Sequence, residues 1–285
     1  MKLILSRKGF DSSAGGVPSP IFPNGRIVSL PIPDKSSSVR YGDISYDGSS
    51  LGTLVSDLTH RIPPTHFAHI DPDLVAGSLP RLKGWRPILG QTGQSQRHLQ
   101  NNGIGAGDLF LFFGLFKNIE IRNGSYTWVR NAQPCHVIWG WLQVEEVLHL
   151  GNFLPQGYEW AYYHPHFNKK DDPNNVIYIA RHHLQLGERT ENLPGAGVFP
   201  FFSFNRRLTS PRSKKVSVWE LPGWFHPDEG RKPLTYHSDM KRWQKHDDRT
   251  TLNSVARGQE FILDCDEYPE AIQWAYDLIK NHDRC

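Results

Sequence analysis

Apolar residues gather in a few dense runs along this 285-residue chain, and their spacing predicts strands more often than helices. The densest run, LFLFFGLF (109–116), follows Gly107 and Asp108. A second, HVIWGWLQVEEVLHL (136–150), lies beyond the polar segment KNIEIRNGSYTWVRNAQP (117–134). Aromatic and β-branched residues bounded by turn residues read as buried strands, and Asn123-Gly124 between them marks a hairpin. NVIYIARHHLQL (175–186) and KVSVWELP (215–222) add two more strands. Together they favour a mixed or antiparallel sheet curled around an aromatic core.

The first apolar triplet, Leu3 to Leu5, also predicts a strand, but it runs straight into Ser6, Arg7, Lys8 and Asp11. Gly9, Gly15, Gly16, Pro18 and Pro20 then describe a turn-rich loop, the kind of strand-end position where chemistry is often placed. GRIVSLPIP (25–33) predicts a second strand. Residues 36–100 are polar and irregular, apart from a short helix over LGTLVSDL (51–58) and a strand end or turn at FAHIDPDLV (67–75). So long a weakly periodic stretch fits a surface that faces a substrate or partner. The clearest helix is DEYPEAIQWAYDLIKNH (266–282), where Pro269 fits the opening turn and Ile272, Ala275, Tyr276 and Ile279 form an apolar face. The elements predict an α+β fold in one or two domains.

Composition narrows the class. Hydrophobic residues at 38% and charged residues at 21% are ordinary for a soluble protein, while 25 Gly and 21 Pro fit the many loops. A net charge of +3, without any long run of one sign, permits nucleic-acid binding without arguing for it. Cys135, Cys265 and Cys285 are odd in number and far apart, which predicts neither a disulfide framework nor a thiolate zinc knuckle. A reducing cytoplasm is the expected location. No apolar stretch approaches the roughly 18 residues of a membrane span, so no membrane partner is expected.

Five constellations carry candidate chemistry. Arg7 and Lys8 can grip phosphate while Asp11 orients a hydroxyl or caps a turn. His66, His69, Asp71 and Asp73 offer imidazoles and carboxylates. In extended backbone His69, Asp71 and Asp73 would share a face, although Pro72 also fits a plain solvated turn. His164, His166, His182 and His183 raise the question of a three-histidine metal centre, but no HExxH is present and no metal site is assigned. Phe199, Phe201, Phe202 and Phe204 precede Arg206 and Arg207, a mixture that stacks bases and meets phosphates or else packs a core. LTYHSDMKRW (234–243) supplies His237 as an acid or base, Asp239 to orient it, Arg242 for phosphate and Trp243 as a face. Its plainer reading is a helix start capped by Ser238 or Asp239.

Two resemblances bear on these residues. GIGAGDLFLFFG, the polar hairpin and VIWGWLQVEEVLHL (103–150) resemble PUA-like small barrels such as the EVE and ASCH families, which implies a barrel core over 103–220 that binds RNA or modified bases. Over most of its length, in LSRKGFDSSAGGVPSPIFPNGRIVSLPIPD, HIDPDL, GDLFLFFGLF, RHHLQLG, GAGVF, LTYHSDMKRW and GQEFILD, the chain resembles the nucleotide modification associated domain family, third type. That resemblance implies a single domain over 1–285, and modification of a nucleotide or nucleic-acid base, or recognition of a modified one, with the reaction unresolved. The expected catalytic residues are His237, Asp239 and Asp11. The expected nucleotide-binding residues are Arg7, Lys8, His69, Asp71, His182, Arg206, Arg242 and Trp243, brought together in one concave pocket. No cofactor is assigned and protein partners are unspecified. A noncatalytic modified-base-binding module and a protein-interaction factor are the alternatives.

Overall fold

The computed structural model describes residues 1–151, 155–169, 172–187, 192–228 and 230–282. A mixed nine-stranded sheet occupies its centre. From edge to edge its main path runs Glu260–Asp264, Lys2–Arg7, Leu109–Arg122, Cys135–His149, Val176–Ala180 and Ile88–Gln91. The first strand pairs antiparallel with Glu260–Asp264 and parallel with Leu109–Arg122. Ser19–Ile21 adds a second parallel partner further along the same long strand. Ser125–Trp128 folds back on it through Asn123 and Gly124, whose φ values of 51° and 80° suit the two-residue hairpin expected from the sequence.

The unbroken apolar run at 109–116 has a simple cause, since both faces of the central sheet are covered. Leu109, Leu111 and Phe113 join one core with Leu3, Leu5 and the C-terminal helix residues Ala271, Ala275 and Ile279. Phe110, Phe112 and Phe116 join another with Ile4, Val137 and Tyr178. Side chains alternate between faces with a period of two, so a strand buried on both sides must be apolar throughout.

The fold is α+β, with a mixed sheet and the expected C-terminal helix, Glu270–Lys280. The expected curled sheet and PUA-like small barrel over 103–220 are corrected. The sheet path ends in Glu260–Asp264 and Ile88–Gln91, which share no backbone ladder, so no barrel closes. Parallel pairing with Lys2–Arg7 extends the sheet outward toward the N-terminal strand. Glycines within the two long strands serve close approach. A Cβ on Gly114 would lie 2.7 Å from the Lys8 carbonyl oxygen, and one on Gly140 would lie 2.9 Å from Leu74 Cδ1 and 3.0 Å from the Gly197 carbonyl oxygen.

The irregular region holds more helix than its periodicity predicts. Leu51–Thr59 is the expected short helix, with Ser50 Oγ accepting from the Gly52 amide at 3.2 Å. Gly93–Asn101 is a second helix that lacks an apolar stripe, because only Gln96 and Leu99 on it are buried. Val218–Pro222, Arg249–Asn253 and Trp243–Lys245 form a separate three-stranded sheet. Among the described residues no helix is long and apolar enough to cross a membrane. Cys135 and Cys265 are buried free thiols, and Cys285 lies outside the described residues.

Candidate functional site

The polar end of the first strand divides into two environments. Successive strand residues point to opposite faces, and Arg7 and Lys8 separate accordingly. Arg7 donates to the Ala256 carbonyl at 2.9 Å and lies over the Phe113 ring. Lys8 continues the parallel ladder by donating its amide to Phe113, and its ammonium reaches 3.5 Å from Asp71 Oδ2 and 3.9 Å from Glu260 Oε1. Glu260 is placed there by register, because it faces Ser6 across the edge pair. Its carboxylate also contacts Gln91 Nε2, at the opposite end of the sheet path.

Lys8 thereby enters a cluster drawn from four distant segments. His69 sits on the two-residue strand Ala68–His69, which pairs antiparallel with Ile32–Pro33. That pairing sets Asp34 beside it, and His69 Nδ1–H donates to Asp34 Oδ2 at 2.6 Å. The ring's Nε2 faces Asp71 Oδ2 at 3.9 Å. Asp71 accepts the Gly90 amide at 2.6 Å, which ties the loop after His69 to the strand Ile88–Gln91. Arg81 holds the next part of this loop through paired bonds of 2.7 Å to the Asp73 carboxylate, and it stacks over Trp85.

His164 and His166 come from a short 3₁₀ turn, Pro165–Asn168, with His164 at its start. Asn175 clamps that turn. Its Nδ2 donates to the carbonyls of His166 and Lys169 at 2.8 and 2.9 Å, so its Oδ1 is the acceptor for His166 Nδ1–H at 2.7 Å. The imidazole of His166 fills the space a side chain at position 90 would need, since a Cβ on Gly90 would lie 2.3 Å from His166 Cδ2. His164 Nε2 is 3.5 Å from Asp71 Oδ1 and is buried without a hydrogen-bond partner. One ligand atom from each of His69, Asp71 and His166 lies within 4.8 Å of the others, the one grouping of this kind among the described residues.

Burial and charge set the ionisation of this cluster. Burial opposes ionisation of Asp71, yet Lys8, His164 and His166 hold its carboxyl well below the usual carboxylate range. The hydrogen bond from His69 holds Asp34 well below that range too. Burial pushes His69 down and His166 down to about 3, and burial pushes the Glu260 carboxyl up. Neutral imidazoles whose Nδ1–H is committed to a fixed acceptor keep an Nε2 lone pair for the interior. With an ammonium and a second carboxyl alongside, the arrangement can bind a cation, transfer a proton or stabilise developing charge.

Asp71 also belongs to the wall of a cavity of about 320 Å³. Ile44, Leu51, Ile70, Trp139 and Phe199 make the interior largely apolar, and Arg26 and Asp47, an ion pair at 3.4 Å, contribute charge to its wall. Trp139 Nε1 is buried without a hydrogen-bond partner, 3.5 Å from where a Cβ on Gly114 would lie. A second cleft of about 350 Å³ lies on the other side of Gly9, lined by Arg7, Asp11, His136 and Ser254 among others. Asp11 spends Oδ1 on the Ser13 and Ala14 amides, both at 2.8 Å, shaping the turn.

The other expected site residues lie apart from this cluster. His237 is fully buried, with Nδ1–H donating to the Thr235 carbonyl at 2.8 Å and Nε2 accepting from the Val255 amide at 3.2 Å. It approaches the first-strand group through Val255, whose carbonyl accepts from Arg7 at 3.4 Å, and through Ser254, whose hydroxyl is 3.3 Å from His237 Nε2 and which lines the second cleft with Arg7. Asp239 caps the turn Met240–Arg242 by accepting from the Lys241 amide, and Arg242 donates to the Asn253 carbonyl at 3.0 Å. Trp243 is buried and donates its indole N–H to the His237 carbonyl. Arg206 is buried, bonded to the Phe201 carbonyl and stacked over Phe199, and His182 is exposed. None of His182, Arg206, His237, Asp239, Arg242 and Trp243 lines either cavity.

Of the expected residues, then, Lys8, His69 and Asp71 converge. His164, His166 and Glu260 join them, although sequence reasoning placed none of the three in the site; the His-Pro-His spacing was the available signal for two. Asp34 and Asn175 carried no signal, because pairing register and a turn bring them in.

Searches against curated proteins and against solved structures gave no match. A family model, nucleotide modification associated domain 3, matches residues 2–264, a span that takes in every residue of the cluster, and the chain belongs to that family.

Proposed function

We propose that this protein is a nucleotide-modifying enzyme that seats a nucleobase in the apolar cavity and acts on it with the cluster of Lys8, His69, Asp71, His166 and Glu260. The observation that carries this reading is the double position of Asp71, whose carboxylate belongs to the cluster while the residue lines the cavity wall. The volume of about 320 Å³ falls at the lower end of the roughly 300–1,000 Å³ usual for small-ligand pockets. A planar base fits an apolar slot of that size, against the Trp139 and Phe199 side chains of its wall. Family membership supports the nucleotide as the substrate class.

Within this reading, the Asp71 carboxylate and the inward Nε2 lone pairs form the polar end that meets the base, and Lys8 stabilises negative charge that develops beside it. Glu260, its carboxyl raised by burial while those of Asp71 and Asp34 are held down, is the most readily protonated carboxyl of the cluster. Calorimetric titration with the four common nucleoside monophosphates and short single-stranded oligonucleotides tests the reading. Saturable binding is expected in the native chain and should be lost in Ser45→Trp, which fills the cavity without touching the cluster. Mass spectrometry of the recovered ligand then separates turnover from recognition alone. Equal binding by the filled variant would remove the cavity from the account, and an unchanged ligand mass would leave a base-recognition module.

A further inference from the structure

We propose that His69 Nε2, His166 Nε2 and the Asp71 carboxylate bind one divalent first-row transition-metal ion, of the class that accepts imidazole and carboxylate together. The inference deepens the functional reading above, because the ion would sit at the polar end of the proposed nucleotide cavity. Three independent features of the geometry support it.

The first is ligand preparation. Metal-binding histidines commonly donate their second ring N–H to a carboxylate or amide carbonyl that fixes tautomer and direction. His69 donates to Asp34 at 2.6 Å and His166 to Asn175 at 2.7 Å, which leaves each ring its Nε2, that of His69 3.9 Å from Asp71 Oδ2 and that of His166 the atom free to join the same grouping. A purely structural histidine needs one such bond, and it does not require two rings to aim their remaining lone pairs at one carboxylate.

The second is charge. Asp34, Asp71 and Glu260 bring three carboxylates, and Lys8 is the one lysine or arginine ion-paired with them among the described residues. The set carries a net charge of two minus with Glu260 ionised and one minus with it protonated, in a largely buried place, and a divalent cation compensates either. Lys169 acts on the histidines only as a neighbouring charge.

The third is an orphaned atom. His164 is fully buried, and its Nε2 has no hydrogen-bond partner although it lies 3.5 Å from Asp71 Oδ1. Such a group normally finds a partner. Zinc bonds of about 2.0–2.2 Å place ligands roughly 3.4 Å apart in a tetrahedron, against separations of up to 4.8 Å here. A contraction of the three ligands around an ion therefore draws Asp71 inward and rearranges its contact with His164. Three protein ligands leave a position open, the pattern of sites that bind a water or substrate atom.

Metal-stripped full-length protein should be dialysed against Zn(II), which takes imidazole and carboxylate ligands together, and separately against Co(II) as a visible-band probe. The expected result is one equivalent of Zn(II) per chain and Co(II) d–d bands that Zn(II) abolishes. His69→Gln and His166→Gln should weaken binding at least 100-fold, and Asp34→Asn by about 10- to 100-fold. His182→Gln, remote and exposed, should leave it unchanged. Less than stoichiometric Zn(II) with no Co(II) bands in the native chain overturns the proposal without relying on any variant. So does equal retention by the folded His69 and His166 variants. Nucleotide binding by metal-stripped protein that takes up no metal would sink this site alone, whereas metal uptake without nucleotide binding would sink the functional reading alone.

Discussion

Lys8 Nζ lies 3.5 Å from Asp71 Oδ2, and this contact joins the end of the first strand to the loop that follows His69. Both side chains are largely buried, with 10% and 5% exposed, and the same ammonium faces Glu260. Polar residues at the end of an apolar strand thus serve the interior, where one cation answers two carboxylates.

Removing that cation should be costly. Lys8→Met leaves two buried carboxylates without their partner, and breaking a buried pair typically destabilises by about 3–5 kcal/mol. Urea denaturation should show the loss, and Lys8→Met combined with Glu260→Gln should recover part of it. A double variant as unstable as the sum of its singles would show that Lys8 and Glu260 are not coupled.

Gly90 is expected to be intolerant for a reason confined to one neighbour. Its missing Cβ is replaced by the His166 ring at 2.3 Å, so Gly90→Ala must displace that imidazole. Overpacking of this kind costs about 1–3 kcal/mol, and here it should also weaken Zn(II) binding at least tenfold. Gly77 also lies beside the cavity, but a Cβ there meets nothing within 4 Å, so Gly77→Ala should stay within about 0.5 kcal/mol of the native chain. Equal effects from the two substitutions would contradict the cradle.

Arg81→Lys should not behave as a conservative change. The guanidinium bonds both oxygens of Asp73 and stacks on Trp85, and an ammonium can do neither in full. A loss of about 2 kcal/mol is expected from the charge-assisted bonds alone. The loop carrying Asp71 should become more open to hydrogen exchange. Unchanged exchange at residues 71–78 would argue that the loop is held by other contacts.

Acid stability should depend on His237. Burial pushes its pKa down to about 4 from the ordinary 6.5, so between these values the unfolded chain binds a proton that the native chain refuses. Stability is then complete above pH 6.5 and falls as pH drops toward 4, by on the order of 3 kcal/mol for this residue. His237→Gln should flatten that part of the stability profile while lowering stability at neutral pH. An unaltered slope between pH 6.5 and 4 in the variant would assign acid sensitivity to other groups.

Much of the fold was legible because burial on two faces leaves a strong imprint. The run at 109–116, the Asn123-Gly124 hairpin and the Glu270–Lys280 helix were all marked by apolar spacing or turn chemistry. The helix Gly93–Asn101 was not, because a helix that buries only Gln96 and Leu99 has little apolar periodicity to detect. The barrel expectation failed because two adjacent apolar strands and a hairpin do not disclose their outer partners, and here Lys2–Arg7 pairs parallel with Leu109–Arg122 in an open sheet. In the site, Lys8, His69 and Asp71 stood out as charged or titratable residues at strand ends and turns. His164 and His166 were visible as residues but not as ligands, since their orientation depends on a 3₁₀ turn and on Asn175. His237 stood in a local setting that suited acid–base chemistry, whereas both its nitrogens are engaged by backbone groups. Letters close in sequence reveal chemistry only when the backbone between them turns the side chains the same way.

The account centres on a single site in which the cavity and the His69–Asp71–His166 cluster act together. A crystal structure of the full chain soaked with Co(II) and a nucleoside monophosphate tests it most directly. The predicted result is an anomalous peak bounded by His69 Nε2, His166 Nε2 and the Asp71 carboxylate, with the base between Ile44, Ile70 and Trp139. A nucleotide bound elsewhere on the molecule, or density for the ion away from Asp71, would contradict it.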